Sequence, residues 1–216
     1  MSRSYCIKCA KPESVCLCPF IVKQENTFPI LVLQHPDEVS HAVGTAKLIN
    51  LSLHRSDILI GTVFSDMQIF ERLSVFGARN PLLIYPTAFN NGVDHYVYDF
   101  EKERFIGSPL KKNFDSLLLL DGTWRNTREL VLLNPWLKEL ASLHLLNAPE
   151  TNYRIRQAKK GGALATIEAA GLGLRLLGDG LDEKALLLPF EKMIAFQIEK
   201  MGSETYATNY QNKKDA

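Results

Sequence analysis

The residues best placed to do chemistry follow an apolar run. Leu117-Leu118-Leu119-Leu120 ends on Asp121-Gly122-Thr123-Trp124, which brings a carboxylate, a hydroxyl and an indole to one point of the chain. Asp is depleted within strands, and ligands of open α/β sheets bind where the strands finish, so this junction is a candidate catalytic site. A plainer reading stays open beside it: Asp121 could accept hydrogen bonds from a turn, and Trp124 could pack under a helix start. Thr123 is itself able to cap a helix beginning at Trp124, which would leave Asp121 for other work. Further on, Ala165-Thr166-Ile167-Glu168-Ala169 carries a second hydroxyl and carboxylate on a helix expected nearby. Glu168 there could cap, pair with an arginine or face a cationic ligand, and Gly171 and Gly173 weaken that helix in exchange for a close approach of backbone or ligand.

Positive charge clusters in two places. Arg125 and Arg128 fall on the first turns of the helix after Trp124, where guanidinium groups reach phosphate or carboxylate or are simply solvated. Tyr153-Arg154-Ile155-Arg156 with Lys159 and Lys160 interleaves an aromatic ring with cations, a pattern suited to stacking on a base while holding its phosphates, and equally that of a solvated loop. The formal net charge of +1 argues against coating nucleic acid by bulk charge, so a polyanion would have to meet such a local patch.

All four cysteines, Cys6, Cys9, Cys16 and Cys18, lie in the first eighteen residues. In a reducing compartment thiols crowded this closely serve more often as metal ligands than as disulfides, and four thiolates suit tetrahedral Zn²⁺. Cys6-Ile7-Lys8-Cys9 has knuckle spacing, whereas Cys16-Leu17-Cys18 is tighter. A redox pair or an inert cluster is the alternative. His41, His54, His95 and His144 show no ligand spacing, and His35 is set apart only by its place beside a strand end. The chain contains no Gly-rich phosphate loop, Ser-His-Asp elbow or His-Glu-x-x-His site.

These groups need elements to hold them. The 216 residues, 46% hydrophobic and 23% charged, suffice for one main domain with a buried core. No apolar stretch is long enough for a bilayer, and residues 1–6 lack the core of a signal peptide, so a cytoplasmic protein without a membrane partner is expected. Strands are expected at residues 29–34, 58–63, 81–86, 117–120 and 142–146, with helices at about 37–53, 65–76, 124–140 (broken near Pro135), 163–177 and 185–201. This alternation implies an α/β fold, a mostly parallel sheet with helices on both faces. Residues 87–114 read as a polar insertion or flap with a short edge strand at Tyr96-Val97-Tyr98, and nothing in the chain advertises an oligomer, so a monomer is expected.

Taken in order, the amino-terminal cysteines, His35-Pro36-Asp37-Glu38, Asp121-Gly122-Thr123-Trp124, Asn152-Tyr153-Arg154-Ile155-Arg156 and Thr166-Ile167-Glu168-Ala169 resemble the DTW-domain family. The resemblance implies a fold similar to the SPOUT class of knotted α/β RNA-modifying proteins, arranged as a zinc-binding segment (1–24), a catalytic domain (25–202) and a polar tail (203–216). It also implies a tRNA-uridine aminocarboxypropyltransferase, moving the 3-amino-3-carboxypropyl group of S-adenosylmethionine to N3 of a variable-loop uridine of tRNA and releasing methylthioadenosine. On this resemblance Asp121, Thr123 and Trp124 are the catalytic group. Tyr85, Pro86, Thr87, Leu120, Asp121, Tyr153, Arg154, Thr166 and Glu168 would bind the donor, Arg125, Arg128, Tyr153, Arg154, Arg156, Lys159 and Lys160 the RNA, and Cys6, Cys9, Cys16 and Cys18 a structural zinc. Methyl transfer from the same donor, and a non-catalytic zinc-bearing RNA-binding module, are the rival expectations.

Overall fold

Two apolar faces per strand dictate the architecture. A strand buried on one face alternates, whereas Ile30-Leu31-Val32-Leu33 and Leu117-Leu118-Leu119 are apolar at every position and must be covered on both. The computed structural model, which describes residues 4–41, 44–89, 92–149 and 164–202, shows this. Seven strands form one sheet: β1 (Ile30–Gln34), β2 (Ser56–Ile60), β3 (Pro81–Ile84), β4 (His95–Asp99), β5 (Arg104–Ile106), β6 (Ser116–Asp121) and β7 (Ser142–Leu146). Their order is β2-β1-β6-β3-β7-β4-β5, and every pairing is parallel except that of β5 with β4.

The helices are α1 (Ala46–Ser52), α2 (Asp66–Ser74), α3 (Trp124–Leu133), α4 (Thr166–Leu177) and α5 (Glu183–Met201). Ile30, Val32, Leu117, Leu119 and Leu143 point into one core with α1, α4 and α5. Leu31, Leu33, Leu83 and Leu118 point into the other, with Ile69 and Leu73 of α2 and Leu130 and Val131 of α3. Each such buried side chain contributes about 1.5–3 kcal/mol relative to exposure. The cysteine segment belongs to the first core: Cys9 and Leu17 are buried in it, and Phe20 packs against Phe196 of α5 with ring centroids 6.0 Å apart.

Local chemistry sets the helix ends. Ser65 accepts the Gln68 N–H at the start of α2, and Asp182 accepts those of Lys184 and Ala185 at the start of α5. Gly178, at φ +84°, closes α4 in the left-handed conformation a side chain resists. Within α4 a Cβ on Gly173 would lie 2.9 Å from Leu117 Cδ1 and 3.3 Å from Ile84 Cδ1, so the glycine expected to allow a close approach does so by letting the helix settle onto β6 and β3.

Two expectations change. The single helix of residues 37–53 is instead a short 3-10 turn, Pro36–Glu38, and a separate helix, α1. Gly44 stands between them, where a Cβ would press to 3.3 Å on the His41 carbonyl oxygen. Residues 87–114 are not a detached flap: β4 pairs in parallel with β7 and β5 pairs with β4, so this stretch widens the sheet, and the edge strand is β5. The polarity that suggested a flap reflects strands near a sheet edge, where one face is half solvated. Replacing Gly173 with Val should lower stability by about 1–3 kcal/mol through overpacking between α4 and β6, read as a lower midpoint in urea unfolding.

Candidate active site

The carboxyl ends of β3, β6 and β7 and the amino end of α4 converge on a cleft of about 1700 Å³, walled on one side by α3. Tyr85, Pro86 and Thr87 follow β3 into it, Leu119 and Leu120 end β6 there, and Leu145 to Ala148 carry the chain past β7. Such a crevice outside the strand ends is where open α/β sheets hold ligands. Burial raises the Tyr85 phenol above its usual value, against the opposing charge of Arg128.

Asp121 sits at the back of this cleft, 6% exposed. One carboxylate oxygen accepts from Gln34 Nε2 at 2.7 Å, and the other from the Thr166 hydroxyl. Gln34 is the register partner of Asp121 on β1, and Thr166 is the first residue of α4, so one carboxylate joins two strands and a helix. Glu168, two residues on, turns back to accept the Ala165 N–H at 2.7 Å and caps the same helix.

The amino end of α3 is held as firmly. Thr123 accepts the Asn126 N–H at 3.2 Å as the cap, and its own N–H donates to Glu38 Oε1 at 3.1 Å. Glu38 is buried and also lies 3.4 Å from Asn126 Nδ2. Gly122 makes the bend possible, since a Cβ there would meet Asn126 Cβ at 2.9 Å. With the turn so tied, Trp124 stands 58% exposed at the cleft edge, with Arg125 and Arg128 exposed on the same helix. It is therefore not a core tryptophan.

At the amino terminus the four cysteine sulfurs gather within 4.8 Å of one another. Cys6 and Cys18 are 3.6 Å apart and Cys9 and Cys16 3.8 Å. A tetrahedral zinc with metal–sulfur bonds of about 2.3 Å sets its ligands ~3.8 Å apart, so these two separations match such an edge and the group could hold a metal ion. Backbone N–H groups of Cys9 and Lys8 bring the Cys6 thiol down to about 6, while burial and its neighbours push Cys18 up to about 12.

The DTW-domain family model matches residues 3–198. The chain belongs to the DTW-domain family. It is 26% identical over 202 residues to tRNA-uridine aminocarboxypropyltransferase 2 of Mus musculus, covering 91% of this chain and 64% of that protein. The protein of the same name from Macaca fascicularis is 25% identical over 202 residues with the same two coverages. That of Drosophila melanogaster is 25% identical over 206 residues, covering 91% of this chain and 76% of its own. The chain thus spans 64% of the length of the two mammalian relatives. No solved structure matches it.

Of the residues singled out from the DTW sequence, Tyr85, Pro86, Thr87, Leu120, Thr123, Trp124, Arg125, Arg128 and Thr166 line the cleft. Asp121 and Glu168 stand behind its surface as ties and caps. Tyr153, Arg154, Arg156, Lys159 and Lys160 lie outside the described residues. Sequence reasoning passed over Gln34, Glu129 and Asn147, and quoted Glu38 only within a family motif, with no role of its own. Gln34 carried a signal, as an amide ending an apolar strand, and Glu129 another, one helical turn beyond Arg125. Glu38 to Ala should cost about 1–3 kcal/mol, because the Thr123 N–H and Asn126 amide lose a buried acceptor. Hydrogen exchange should then speed up selectively at Thr123, with strand amides of β1 unaffected.

Proposed function

We propose that this DTW-domain protein is a tRNA-uridine aminocarboxypropyltransferase, moving the 3-amino-3-carboxypropyl group of S-adenosylmethionine to N3 of a variable-loop uridine in tRNA. The observation that carries the reading is the cleft at the ends of β3, β6 and β7, with Asp121-Gly122-Thr123-Trp124 at its edge, in a chain whose relatives bear that name. The uridine N3 gives up its proton to solvent water and bonds to the propyl carbon next to sulfur. The carbon–sulfur bond breaks with its electron pair going to sulfur, and neutral methylthioadenosine leaves.

The residues divide this work. Tyr85, Pro86, Thr87, Leu120 and Thr166 surround the donor, largely through backbone and apolar contact. Thr123 and Trp124 present the acceptor face, the exposed indole offering a stacking surface for a base. Arg125 and Arg128 meet phosphate. Asp121, with both oxygens engaged, acts by holding β6 against the start of α4, so that donor carbon and uridine N3 stay in line. Cys6, Cys9, Cys16 and Cys18 hold a structural zinc that keeps the amino-terminal segment folded onto α5.

Unmodified tRNA incubated with the protein and S-adenosylmethionine should yield an aminocarboxypropyl-uridine in nucleoside mass spectrometry; a methyl adduct, or no adduct, would overturn the proposal. Asp121 to Asn should lower the transfer rate by about a hundredfold with donor affinity retained, since small misplacements of reacting atoms cost that much. Full activity in that variant would remove Asp121 from the mechanism. Metal analysis of protein purified under reducing conditions should find one zinc per chain, and chelation should lower the unfolding midpoint. Zinc-free protein with an unchanged midpoint would refute the structural metal.

A further inference from the structure

The donor proposed above carries a zwitterion at the end of the group it gives up, an ammonium and a carboxylate on one carbon. The cleft holds partners for the ammonium. Its described lining includes two carboxylates, Glu101 and Glu129. Glu101 lies 3.4 Å from the Asn147 side-chain amide, a partner already in place. Glu129 stands on α3 one turn after Arg125 and next to Arg128, its side chain 45% exposed. Its Oε2 is 3.9 Å from Nε2 of His35.

His35 is the unusual member. Its side chain is 7% exposed, and Nε2 has no hydrogen-bond partner among the described residues. Its Nδ1 accepts the Asp37 N–H at 3.2 Å, so in the neutral ring Nε2 carries the proton. A buried N–H donor without an acceptor therefore faces the cleft carboxylate, and a small movement of the Glu129 side chain closes the bond. A carboxylate aimed in this way is a partner for a cation.

From this geometry we infer that Glu129, aimed by His35, binds the α-ammonium of the donor's aminocarboxypropyl group. The subsite rests on the donor proposed above. It pins the far end of the transferred group, which leaves the carbon beside sulfur pointing at the acceptor. His35 is a positioning residue here, acting only through Glu129.

Binding measurements with two probes test this apart from transfer. S-Adenosylhomocysteine and methylthioadenosine share the adenosine and the thioether sulfur, and only the first has the amino acid end. Glu129 to Gln should weaken S-adenosylhomocysteine about tenfold and leave methylthioadenosine unchanged, the latter also showing that the fold is intact. His35 to Gln should move the first affinity in the same direction by a smaller factor. Wild-type affinity for S-adenosylhomocysteine in the Glu129 variant overturns the inference, even where transfer is lost, since that pattern belongs to a base. A parallel loss of both ligands also overturns it and marks Glu129 as structural. Wild-type protein that binds neither probe removes the proposed donor itself, and the subsite with it.

Discussion

A single buried carboxylate organises this molecule. Asp121 closes β6, accepts from Gln34 across the sheet on β1, and accepts from Thr166 at the first turn of α4. Buried acceptors left unpaired cost about 1–3 kcal/mol each, so the three groups stand or fall together. The cleft exists because of that knot of bonds: its floor is the end of β6, one wall is the start of α4, and the turn of Gly122 and Thr123 that leads to α3 leaves from the same residue. Gly173 supports the arrangement from a distance by letting α4 lie close on β6, and Glu168 caps the helix so that Thr166 can turn its hydroxyl toward Asp121.

Opposite the Asp121 tie, α3 is held by a second carboxylate. Glu38 receives the Thr123 N–H and approaches the Asn126 side chain, so the turn after β6 is fixed from both sides of the sheet. The consequence is an exposed Trp124 on a tied turn, beside two exposed cations. An aromatic plane beside cations suits the proposed uridine acceptor, because stacking needs a plane and phosphate tolerates variation in cation position.

Much of the fold was legible because burial on both faces leaves an unmistakable pattern. Runs such as Ile30 to Leu33 and Leu117 to Leu120 marked β1 and β6, and Thr123 marked a helix start by its chemistry. The helix expected over residues 37–53 failed at Gly44, and the polar stretch from residue 87 hid β4 and β5, since strands near an edge are half solvated and lose the apolar signature. In the site, Asp121, Thr123, Trp124 and Thr166 were legible as chemistry at a strand end. Their division of labour was not: that Asp121 faces Gln34 depends on the register between β1 and β6, and that Glu129 faces His35 depends on how α3 crosses the end of β1. Neither is local to any stretch of sequence.

In the proposed reaction the cleft presents the propyl carbon of its donor, not the methyl. The fate of the donor tests this most directly: S-adenosylmethionine incubated with the protein and excess unmodified tRNA, with the adenosine-containing products separated by liquid chromatography. Methylthioadenosine should accumulate in proportion to the RNA modified. S-Adenosylhomocysteine in its place would show that the methyl group is transferred, and would contradict aminocarboxypropyl transfer.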